Sequence, residues 1–96
     1  MERKDIIEAI NKERMRQITA EGYFTSRDDE WTKGELGMAA AVYAMPPDER
    51  DMSIWPFGEK AYRPHQTNRV REIVKAAALI VAEIERLERS GQGKQI

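Results

Sequence analysis

The sequence predicts an all-α protein: a compact three- to four-helix bundle with a central C-terminal helix and one irregular loop containing tryptophan and proline. Apolar residues recur at helical spacing in three separate segments, and no segment alternates apolar and polar side chains as a half-buried strand does. Glycine, proline or a capping side chain bounds each helical segment. Seven consecutive apolar residues, Ala76 to Ala82, stand inside the last segment. An ordinary surface helix buries only one stripe, so that turn calls for cover on every side.

The first helix is expected over about residues 5–20, with Ile6, Ile7, Ile10, Met15 and Ile18 as its buried stripe. Gly22 follows where a C-terminal cap belongs. Residues 23–31 read as a polar loop. The second helix is expected over 32–45, opened by a capping box of Thr32 and Glu35. Leu36, Ala39, Ala40 and Tyr43 form its buried face, and the small residues from Gly37 to Ala44 let a neighbouring helix come close. Met45-Pro46-Pro47 ends it, because a residue before proline is driven to extended geometry. Residues 47–66 are the least regular stretch, with one helical turn expected to start at Pro47. Trp55-Pro56-Phe57, joined by Tyr62, is expected to plug one end of the core. The third helix is expected over 67–89 with Thr67 as its cap. Val70, Ile73, Val74, Ala77, Ile80, Val81, Ile84 and Leu87 make its apolar face, and Ser90-Gly91 closes it. Residues 91–96 read as a frayed tail.

The chain has 96 residues, so a single domain, 1–96, is expected. Hydrophobic residues at 41% and charged residues at 34% indicate a globular chain with a thin core. A net charge of -1 speaks against a general nucleic-acid binder. Without cysteine there are no disulfides, thiolate nucleophiles or cysteine-based zinc sites. Met1 to Asp5 lacks the apolar stretch of a leader, and the apolar run is shorter than the ~20 residues a membrane span needs. A cytoplasmic protein with no membrane partner is expected.

Glu13-Arg14-x-Arg16-Gln17, Glu21-Gly22-Tyr23, Asp28-Asp29, Gly34-Glu35-Leu36, Ala39-Ala40 and Tyr43-Ala44 occur in this order. Trp55-Pro56-Phe57, Arg63-Pro64 and the stretch from Lys75 to Leu87 follow. That succession, over roughly residues 10–89, resembles a family of small proteins from bacteriophages and prophage-bearing bacterial genomes. The resemblance implies a phage setting and no particular reaction.

Two groups of side chains carry chemistry. Asp28, Asp29 and Glu35 are spaced to offer oxygen ligands to magnesium. All-α nucleoside-triphosphate pyrophosphohydrolases of the MazG-like type use paired carboxylates on helices in this way. Here the only such pair on the last helix, Glu85-x-x-Glu88, lies at its polar end, with no Glu-x-x-Asp on the second helix to face it. The plainer expectation is that Asp28 and Asp29 serve the helix dipole and Glu35 the cap. Arg14, Arg16 and Gln17 on the first helix, with Arg63 and Arg69 around Pro64, form the second group. Arginine forks onto carboxylate or phosphate, so these five are the candidate binding residues for an anion. Asp28 or Asp29 is the natural internal partner if Arg14 or Arg16 turns inward. His65, alone and without cysteine, is a poor metal or catalytic candidate, and its neighbours Arg63, Arg69 and Arg71 make a local basic cluster that could hold an anion or be a solvated helix end. No complete catalytic constellation is present. The expected function is a small binding or regulatory protein without catalysis or cofactor. It would act on a host protein or a small anionic ligand, inhibition of a host defence being one form. The alternative is a divergent magnesium-dependent pyrophosphohydrolase using Asp28, Asp29 and Glu35. A homodimer is expected through Ala76, Ala77, Ile80, Val81 and Ile84.

Overall fold

A computed structural model describes residues 1–22, 25–65 and 67–91. Among them all regular structure is helical: α1 (Arg3–Ala20), α2 (Thr25–Asp28), α3 (Glu35–Ala44) and α4 (Arg69–Arg89), with single 3-10 turns at Pro47–Glu49, Met52–Ile54 and Glu59–Ala61. Since α2 is a single turn, three long helices make the fold. The expected tail beyond Gly91 lies outside the described residues. No helix among those described is long and apolar enough to cross a membrane.

The last helix is the centre, as its apolar content predicts, and α1, α2 and α3 all pack on it. Leu36, Ala39, Ala40 and Tyr43 of α3 meet Ala76, Leu79 and Ala82 of α4 in one buried cluster. Most of these side chains are alanine, so the two backbones lie close and dispersion replaces bulk. Trp31, Trp55, Phe57 and Tyr62 pack against the same cluster. Trp55 sits edge-on to Tyr43 and Tyr62, each ring centre 5.3 Å away. The expected aromatic plug is therefore present, and the Trp55 indole N–H is satisfied by the Gly58 carbonyl at 2.7 Å.

Expectations fail where helix faces and caps were read from local pattern. The buried face of α1 is polar: Glu13, Arg14 and Gln17 are buried, while Ile6, Ile7 and Met15 are exposed. The opposing surface of α4 explains this. Gln17 Nε2 donates to the Lys75 carbonyl, Glu13 pairs with Arg71, and Arg14 reaches Glu85. Three residues of α1 thus reach contacts on α4 from Arg71 to Glu85, about 21 Å along the helix. Helix α1 crosses α4 obliquely, with the wholly buried Ala78 between these contacts. Its rotation follows charge matching, because each buried polar group must find a partner.

The capping box of Thr32 and Glu35 does not form. Thr32 is exposed and α3 starts at Glu35 after Gly34, which takes φ +85°, a conformation suited to glycine. The Glu35 carboxylate accepts from the Lys33 N–H at 2.6 Å. Likewise Asn68, rather than Thr67, caps α4 by accepting from the Arg71 N–H at 3.0 Å. The run Ala76–Ala82 is covered on two sides only. Ala76, Ala78, Leu79 and Ala82 are buried, Ala77 and Val81 half-buried, and Ile80 exposed.

A cationic cleft as candidate functional site

Three buried carboxylates organise the polar interior. Glu72 of α4 accepts a two-pronged bond from Arg50, at 2.8 and 3.0 Å, and the backbone N–H of His65 at 3.1 Å. The Arg50 hydrogen bonds hold its carboxyl below the usual range against the opposing effect of burial. This hub ties the irregular stretch to α4. Asp28 pairs with Arg14 at 2.8 Å. Burial raises its pKa, and Arg14 only partly offsets that.

Glu13 is the third hub, and it borders a cleft. It accepts Arg16 through both oxygens, at 2.9 and 2.8 Å, together with Gln17 at 3.1 Å and Arg71 at 2.5 Å. Burial pushes its pKa up, but these partners outweigh burial and leave it lowered. Arg16 and Arg71 are thereby fixed on the wall of a cleft of about 660 Å³, which Arg27, Arg63, His65 and Lys75 also line, with Phe57. The ammonium of Lys75 donates to the Arg63 carbonyl at 2.6 Å and lies 4.6 Å from the Tyr43 ring centre. Burial lowers its pKa, Glu21 and Glu13 oppose that, and Arg16 and Arg71 reinforce it. Burial, Lys75 and Arg71 also lower that of His65. Among the described residues one carboxylate lines the cleft: Glu21, 3.0 Å from Arg16 and 3.6 Å from Arg63.

Of the five candidate anion-binding residues, Arg16 and Arg63 reach this cleft. Arg14 is buried between Asp28 and Glu85, the internal partnership open to it. Gln17 is buried beside Glu13. Arg69 donates to the carbonyls of Tyr43 and Ala44 and so closes the end of α3, where positive charge suits the helix dipole. Asp28 and Asp29 do not converge: Asp29 pairs with Arg89 at 2.8 Å. Among the described residues no group of three histidines or carboxylates is placed to hold a metal. Of the expected interface residues, Ala76 is taken up by the α3 contact, while Ile80 and Ile84 are exposed.

Arg27, Lys75 and Glu21 escaped the sequence reading, whereas Arg71 belongs to the basic cluster expected around Pro64. Spacing held the signal for some: Glu13, Arg16 and Gln17 fall at i, i+3 and i+4, and Arg71 and Lys75 at i and i+4, so each set shares a helix face. What brings the two faces together is the crossing of α1 over α4, which no local pattern encodes. Comparisons with protein-family models, curated proteins and solved structures find no match to this chain. Fold and site define its class as a small all-α protein with a cationic cleft.

Proposed function

We propose that this chain is a small binding or regulatory protein of phage type, acting in the cytoplasm, whose cleft takes an anionic small ligand without transforming it. The observation that carries this is local charge. Arg16, Arg27, Arg63, Arg71 and Lys75 face a cleft where, among the described residues, Glu21 is the one lining carboxylate, in a chain whose net charge is -1. Guanidinium forks suit phosphate or carboxylate oxygens, and Phe57 offers an apolar wall beside them. The lack of cysteine suits a reducing compartment, and the family resemblance supports the phage setting. Binding at this cleft would be the signal, or the hold on an acidic group of a host protein.

Calorimetric titration with inorganic pyrophosphate and a panel of nucleotides tests the reading. Binding is expected, and Arg63→Ala is expected to weaken it about tenfold, a loss of ~1.4 kcal/mol, while helix content stays unchanged. Arg63 is largely exposed, so its removal leaves the core alone. No binding at millimolar concentration would overturn the proposal. So would turnover of a nucleoside triphosphate with magnesium that Asp29→Asn abolishes.

A further inference from the structure

We propose that Lys75 is a nucleophilic amine that captures the carbonyl group of an anionic aldehyde or oxo acid as a reversible imine, and so anchors the ligand of the cationic cleft. The inference rests on the reading of that cleft as an anion site and names the class of anion it takes. Lys75 stands on the cleft wall with only 3% of its surface exposed. Its ammonium donates to the Arg63 carbonyl at 2.6 Å and lies over the Tyr43 ring. Neither neighbour carries a charge that balances it. The carboxylates of Glu13 and Glu21 make their ion pairs with Arg16, Arg63 and Arg71 instead. Lys4, Lys12, Lys33 and Lys60, by contrast, are exposed to water.

A lysine desolvated beside other cations is the form in which this side chain acts as a nucleophile. Burial favours the neutral amine of Lys75, Glu21 and Glu13 oppose that, and Arg16 and Arg71 reinforce it. The same guanidiniums supply the hold on the ligand. Arg16 and Arg71 are fixed by Glu13 and can fork onto a carboxylate or phosphate, which brings a carbonyl on the same small molecule towards the amine. The ammonium first yields a proton to solvent. The amine lone pair then attacks the carbonyl carbon, and the C=O π pair moves to oxygen. Proton transfer from nitrogen to that oxygen and loss of water leave the C=N bond. Nothing is oxidised or reduced, and hydrolysis of the imine releases the ligand unchanged.

Glyoxylate with sodium cyanoborohydride, added to the full chain, tests this. Reduction turns the imine into a stable carboxymethyl amine, which peptide mass spectrometry locates. Lys75 is expected to be labelled about tenfold faster than Lys4, Lys12, Lys33 and Lys60, because a held anion raises the local aldehyde concentration. Excess inorganic pyrophosphate is expected to remove that preference. Arg63→Ala is expected to lower it, although the backbone carbonyl that holds the ammonium stays in place. Glycolaldehyde, an uncharged aldehyde of similar size, is expected to show no preference for Lys75. Labelling of Lys75 no faster than that of the surface lysines would overturn the proposal. If pyrophosphate still binds by calorimetry in that case, the anion site stands without the imine; if it does not, both readings fall. A preference for Lys75 that pyrophosphate leaves intact, or that glycolaldehyde shares, would overturn the anionic class of the ligand. The labelling uses the unaltered chain, so the result does not depend on a Lys75 variant that folds.

Discussion

Glu21 is the residue at which the chemistry of the cleft turns. Its carboxylate bridges Arg16 and Arg63, holding donors that an incoming phosphate would need. It also helps keep the neighbouring Lys75 protonated against burial. A bound anion would take over both tasks, so Glu21 competes with the ligand for the same charges. Replacing it with the isosteric amide removes the competitor and keeps the shape. Glu21→Gln is therefore expected to raise the affinity for pyrophosphate about tenfold, as judged by calorimetry. Stability should change by no more than about 1 kcal/mol, because the pairs it loses are open to water on the arginine side. Unchanged or weaker binding would mean that the anion sits somewhere other than between Arg16 and Arg63.

At the scale of elements, the contact between α3 and α4 depends on alanine. Ala39, Ala40, Ala76 and Ala82 are all buried there, leaving no room for branching. Ala39→Leu should cost about 1–3 kcal/mol through overpacking, measured as a lower urea midpoint at fixed protein concentration. A midpoint equal to that of the parent chain would show that the helices can part without loss. This contact was legible in advance: Leu36, Ala39, Ala40 and Tyr43 share one face, and Pro46-Pro47 can only end the helix. The rotation of α1 was not. Its isoleucines made the more obvious stripe, yet Glu13, Arg14 and Gln17 face inward because Arg71, the Lys75 carbonyl and Glu85 await them. Helix starts at Glu35 and Arg69 escaped for a related reason. Thr32 and Thr67 are competent caps, and the backbone path through Gly34 and Asn68 bypasses both. The cleft was half legible: Arg16 and Arg63 bear the right groups, but Arg27, Arg71 and Lys75 join them only through the helix crossing.

The whole molecule trades bulk for charge: its apolar cluster is small, and buried carboxylates tie α1, α4 and the irregular stretch together. Its stability should therefore depend on the ionisation of these carboxylates. Glu13 and Glu72 have folded-state pKa values lowered below the ordinary 4.5. As pH falls through that value the unfolded chain takes up protons that the folded chain refuses, so the stability these groups contribute is lost. Asp28 works the other way. Its folded-state pKa lies above the ordinary 3.8, so in the interval between the two values the folded chain binds the proton first. Glu13 and Glu72 thus lose stability in acid, and Asp28 opposes them. Glu72→Gln isolates one of them. It strands the guanidinium of Arg50, whose side chain is only 4% exposed, so the variant should lose about 3 kcal/mol at neutral pH. The loss should shrink as pH falls below about 4.5, where protonation of Glu72 weakens the same bond in the parent chain. Urea unfolding of both proteins across this range, at one protein concentration, measures the difference. A deficit that stayed constant from neutral pH into acid would show that Glu72 matters for its shape and hydrogen bonds, and that its charge carries no part of the stability.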